Sequence, residues 1–191
     1  MTAEQLSWEQ PRPLKLGVDE FVLLWDAGAF DCYGKTELIN GTIYVMSPQH
    51  SPHFKAKNRL FRRLADACDR LGRGLEAWSE GSVEMRPDSV PEPDIFVTSE
   101  EPFGKLVRLD TVALVVEVAA ATLDRDLGEK AELYARHGVP EYWVVDLDGR
   151  LLHQLWRPGA DGYAERRRSA LVERVEAVTV PGLGVETAEL V

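Results

Sequence analysis

Residues 113–120 read ALVVEVAA, and no other stretch restricts the fold as tightly. A run of small and branched apolar side chains suits a buried β-strand, yet Glu117 stands inside it. An unpaired buried carboxylate costs several kcal/mol, so the fold must bring something to compensate it. Period-two alternation puts Glu117 on the face of Ala113, Val115 and Ala119, whose side chains leave room above the sheet.

The rest of the chain supplies elements that can surround such a strand. Residues 1–17, with Pro11 and Pro13, read as an irregular leader, and 18–191 as a single domain. A helix is expected over 18–28, with Asp19 as its cap and Gly28 as its stop. Two alternating runs over 36–48 are joined by Asn40-Gly41, a strong hairpin signal. A long amphipathic helix follows over 53–74, with Leu60, Leu64, Ala67 and Leu71 on one face. Short strands are expected near 75–79 and 82–86, and further strands over 93–99 and 111–119. Residues 124–138 read as a helix, with Asp126 and Glu129 at capping-box spacing and Gly138 closing it. A strand over 141–146 turns at Asp148-Gly149 into another over 150–157, followed by one or two more strands and an irregular tail. The order helix, three strands, helix, strand predicts an α/β or α+β domain with helices on the faces of a sheet.

Composition limits the function classes. With 45% hydrophobic and 28% charged residues the chain is an ordinary globular protein. A net charge of −10 argues against a wholly basic surface but allows a local basic groove. Cys32 and Cys68 lack CxxC spacing, which favours free cytosolic thiols over a disulfide. The first residues have neither a basic nor an apolar signal region, and no run reaches the roughly 18 apolar residues of a membrane span. The expected location is therefore cytoplasmic, with no membrane partner.

Three acids fall on or beside strands: Glu37 in the hairpin, Asp94 after Pro93, and Glu117. Carboxylates converging at one sheet edge suit a hard cation such as Mg²⁺ or Mn²⁺. Taken singly, Glu37 and Asp94 also read as solvated strand ends. Lys130 borders the apolar stripe of the 124–138 helix and reaches Glu117 if that helix packs over the strand. Its alternative is a surface pair with Asp126 at i,i+4. His50 and His53 lack a third zinc ligand, and Tyr142 and Trp143 read as core. Paired carboxylates also occur in glycosidases, but that chemistry leaves Lys130 without a task.

The stretches TELINGTIYVMSPQHSPH, PEPDIFV, LVVEVAAAT and DRDLGEKAELYARHGVPEYWVVD resemble the Uma family of restriction endonucleases, within the PD-(D/E)XK superfamily, over roughly 18–160. The resemblance implies a restriction-endonuclease-like fold: a central mixed β-sheet flanked by helices, with an additional N-terminal β-hairpin. It implies a metal-dependent deoxyribonuclease acting on DNA with Mg²⁺ or Mn²⁺, and a homodimer is consistent with cutting two strands. The alternative is an inactive binding or scaffold protein that keeps the fold. Asp94 and Glu117 match the family's metal-binding acids. Ala119 stands where the superfamily lysine falls, and Lys130 matches the family's replacement on the following helix. Glu37, His53 and Tyr134 are accessory candidates. The family usually reads EV-SPS where this chain reads EVAAAT.

The 53–74 helix carries Lys55, Lys57, Arg59, Arg62, Arg63, Arg70 and Arg73 against only Asp66 and Asp69. Lys55, Lys57, Arg59, Arg62 and Arg63 are the expected nucleic-acid-binding residues. The alternative is an ordinary solvated helix face.

Overall fold

A computed structural model describes residues 12–46 and 51–190. The first eleven residues of the expected leader lie outside the described residues, as does His50. Helix α1 (Val18–Asp26) leads into a hairpin of β1 (Thr36–Ile39) and β2 (Thr42–Val45). Asn40 and Gly41 have φ of 49° and 75°, the left-handed pair that lets a two-residue turn follow the strand twist. The start of α1 differs from expectation. Glu20 Oε2 reaches back to accept from Gly17 N at 2.9 Å, while Asp19 turns outward to Arg86.

Next come α2 (Ser51–Leu71), β3 (Glu76–Ser79), β4 (Val83–Glu84), β5 (Ile95–Thr98), β6 (Val107–Arg108) and β7 (Val112–Ala119). A helical segment follows in three parts: α3 (Leu123–Arg125), a π turn (Asp126–Lys130) and α4 (Ala131–Arg136). The chain ends with β8 (Glu141–Asp146), β9 (Leu151–Gly159), β10 (Gly162–Ala170), β11 (Arg174–Glu176) and β12 (Gly184–Glu186). Six strands form one sheet in the order β10-β9-β8-β7-β5-β3. Only β7 and β8 are parallel, because the helical segment crosses over between them. The expected order from α2 to β8 is present, with β4 and β6 set aside as a separate parallel pair.

Both faces of this sheet are covered. On one, Leu60, Leu64 and Cys68 of α2 pack on Ile95, Val97, Val116, Val118 and Trp143. On the other, Ala131, Tyr134 and Ala135 of α4 pack with Phe96, Val115, Tyr142 and Val144. Simple alternation misplaces Ala113. A bulge pairs Val97 with Leu114 but Thr98 with Val112, so Ala113 packs with the α2 layer and Val112 joins Val115.

Three strands, rather than one or two, follow β9. The β11–β12 pair lays Val175 and Val185 against the α2 layer. Its docking uses arginines expected to be solvated: Arg63 donates to the carbonyls of Glu186 and Ala188 at 2.7 and 2.6 Å. Arg59 reaches the Glu189 carbonyl and Arg73 that of Pro181. Among the described residues no helix is long and apolar enough to cross a membrane.

Candidate active site

The hairpin, α2, the start of β5, the end of β7 and the π turn all deliver a side chain to one buried place above the sheet. Glu117 enters from β7, between Val116 and Val118 of the opposite layer. Pro93 precedes Asp94, whose carboxylate is tied to the neighbouring strand: Val118 N donates to its Oδ2 at 2.9 Å. In return, Asp94 N lies 3.4 Å from Glu117 Oε2 as its donor. The pairing of β5 with β7 therefore sets the two acids side by side.

Lys130 arrives at the end of the π turn. Its Nζ donates to Glu117 Oε1 at 2.9 Å and to Glu37 Oε1 at 3.1 Å. It is only 3% exposed, so the surface pair with Asp126 does not form. Tyr134, four residues on, donates its hydroxyl to the same Glu117 oxygen at 2.9 Å. Glu37 is fully buried and also accepts from Glu92 N at 3.0 Å. Asp126 is not the cap expected of it: the helix begins at Leu123, and Asp126 is buried and accepts from Thr122 Oγ1 at 2.6 Å.

From α2, His53 Nε2 lies 3.1 Å from Asp94 Oδ2. Lys57, expected on the solvated stripe, is 4% exposed. Its Nζ donates to Glu80 Oε1 at 2.5 Å and sits 4.0 Å from Asp94 Oδ1. The periodicity held that signal, since positions 53, 57, 60 and 64 share one face of a helix. Lys35 has no such pattern. It reaches Glu92 at 3.3 Å from the turn before β1, and its charge is felt by Glu117, Asp94 and Glu37. Lys55 and Arg62 remain exposed on α2, away from this cluster.

The electrostatics divide the two acids. Burial pushes Glu117 up to about 7, with Lys130 opposing and Asp94, Asp126 and Glu37 adding to the rise. Burial acts on Asp94 too, but His53 and the Val118 amide outweigh it and hold that carboxyl below its ordinary range. Desolvation alone would depress Lys130; Glu117 and Glu37 reverse this and raise it, so the ammonium persists at neutral pH. Burial beside Glu117 keeps Tyr134 a neutral donor.

The donor chemistry bears on a metal. Asp94 and Glu117 offer hard oxygens, whereas Glu37 Oε2, buried without a hydrogen-bond partner among the described residues, already faces the Arg125 guanidinium at 3.6 Å. No group of three or more His, Cys, Asp or Glu side chains gathers as a metal cage among those residues. Mg²⁺ is typically held by one or two carboxylates with several waters, and this set fits it better than zinc.

Over residues 19–188 the sequence matches the family described as "Uma2: Putative restriction endonuclease". The fold is similar to the crystal structure of "a putative nuclease belonging to DUF820 from Anabaena variabilis ATCC 29413". That likeness has a TM-score of 0.66 at 17% identity and covers 93% of this chain and 97% of the other. It bears on the fold alone. No curated protein matches the chain.

Proposed function

The chain belongs to the Uma2 family, and on that premise we propose that it is a metal-dependent endonuclease hydrolysing DNA phosphodiester bonds at Asp94, Glu117 and Lys130. The observation that carries this reading is Lys130 buried between Glu117 and Glu37, with Asp94 bonded beside them. Well-packed apolar residues would stabilise a core at least as well as a buried ion pair, so such a cluster asks for a chemical reason.

Hydrolysis adds water across a P–O bond and leaves a phosphate monoester and a hydroxyl. Asp94 and Glu117 would hold a Mg²⁺ or Mn²⁺ ion, whose chemistry is to acidify water and neutralise phosphate charge. Lys130 has three N–H donors and gives two to carboxylates, leaving one for the attacking water or a phosphate oxygen. Held protonated, it orients and stabilises negative charge; it does not remove the proton from water. Glu37 positions the ammonium, and Tyr134 fixes the Glu117 carboxylate. His53 does the same for Asp94. A second copy of the chain would give one such centre for each DNA strand.

The test is nicking of supercoiled plasmid with Mg²⁺, with Mn²⁺ and with EDTA, using purified wild type and Glu117→Gln. Cation-dependent nicking by wild type alone supports the proposal. DNA binding without nicking under any cation would favour an inactive nuclease-fold binding protein.

A further inference from the structure

Across the sheet, Glu117 pairs with Val144, Val144 with His153, and His153 with Arg168. Residues directly opposite one another share a sheet face, so Arg168 and His153 stand on the same side as Glu117. At about 4.8 Å per strand, the backbone of Arg168 is about 14 Å from that of Glu117. Arg166, two residues earlier on β10, shares this face.

A cleft of about 410 Å³ opens there. Ala131, Leu155 and Tyr163 form its apolar part, Arg166 and Arg168 its cationic part, and His153 adds an imidazole that burial and the nearby Arg168 hold toward its neutral form. Arg166 and Arg168 are exposed, and neither makes an ion pair or hydrogen bond among the described residues. Glu132 and Asp161 also line the cleft without pairing to them. By contrast, Arg157 and Arg174 on the same part of the chain have carboxylate partners. His153 Nε2 is buried with no hydrogen-bond partner among the described residues. Two arginines with no carboxylate partner thus converge beside an unsatisfied imidazole nitrogen, in a chain of net charge −10.

Resting on the DNA reading above, we infer that this cleft binds a backbone phosphate of the nucleic-acid strand addressed by the Glu117 site. A separation of about 14 Å keeps the cleft within a few nucleotides of the acidic site along one strand. The cleft and the acidic site flank the same helical segment. Leu127 and Ala131 face the cleft, while Lys130 and Tyr134 face Glu117.

The experiment compares wild type, Arg166→Ala/Arg168→Ala and the control Arg157→Ala/Arg174→Ala, which loses equal charge elsewhere. Binding of a fluorescent DNA duplex in EDTA is measured over a range of salt, and pyrophosphate binding by calorimetry. The cleft variant should flatten the slope of log K against log salt by about one to two units and lose the pyrophosphate heat, the control neither. A cleft variant that matches wild type with both probes overturns the inference, as does a control that falls equally. If wild type binds pyrophosphate through Arg166 and Arg168 but neither binds nor cuts DNA, the anion site stands. The DNA reading and this assignment of the ligand then both fall.

Discussion

Asp94 and Glu117 are joined twice through the backbone: Asp94 N faces Glu117 Oε2 at 3.4 Å, and Val118 N donates to Asp94 Oδ2 at 2.9 Å. Strand pairing, rather than a loop, therefore fixes their separation. Glu117→Gln should abolish nicking and weaken Mg²⁺ binding by at least tenfold in calorimetry. Its melting temperature should stay close to that of wild type, because Glu37 still pairs with Lys130. Retained nicking would remove Glu117 from the chemistry.

Lys130→Met leaves Glu37 and Glu117 buried without their shared ammonium. Removing one partner of a buried ion pair typically costs about 3–5 kcal/mol, and urea unfolding of the metal-free protein at pH 8 should reveal a loss of that order. Adding Glu37→Gln to Lys130→Met should recover part of it. Equal stability of Lys130→Met and wild type would mean that the cluster is not the buried electrostatic unit described.

Arg63 and Arg62 are neighbours with different tasks. Arg63→Ala frees two carbonyls of the C-terminal segment and should cost about 1–3 kcal/mol in urea unfolding. Arg62→Ala removes an exposed side chain and should change stability by less than about 0.5 kcal/mol. Equal costs would contradict the clasp between α2 and the C-terminal strands.

Cys68 is buried on the sheet-facing side of α2 and Cys32 is exposed. Burial, reinforced by Asp69 and Glu76, pushes the Cys68 thiol up to about 11. Near pH 8 a thiol reagent should therefore label one cysteine quickly in the native protein and both after unfolding. A raised thiol pKa favours the folded state below the unfolded value near 8.5, and that contribution fades as pH rises through about 11. Two rapid native equivalents would place Cys68 in solvent.

Much of this was legible because local chemistry admitted few alternatives. Asn40-Gly41 could hardly be other than a hairpin turn, and ALVVEVAA required both a buried strand and a cation for Glu117. The cation could be named because Lys130 borders an apolar helical stripe, while the role expected of it came from family resemblance. Less legible were features that tertiary packing alone creates. The β4–β6 pair joins the short strand expected near 82–86 to a two-residue strand, Val107–Arg108, that carries no periodic signal. The bulge at Ala113 reverses an alternation that looks regular in sequence. Arg59 and Arg63 looked like solvated charge because their acceptors are carbonyls more than 120 residues away.

The π turn at Asp126–Lys130 has a consequence for tolerance to insertions and deletions. Such a turn holds one residue more than an α-helical path requires. Deleting Gly128 should let the segment relax into a plain α-helix, with the buried face of α4 and Tyr134 still directed at Glu117. The same deletion placed between Ala131 and Tyr134 would rotate Tyr134 by about 100° away from its carboxylate. Chain length at this corner can therefore drift by one residue on one side of Lys130, but not on the other.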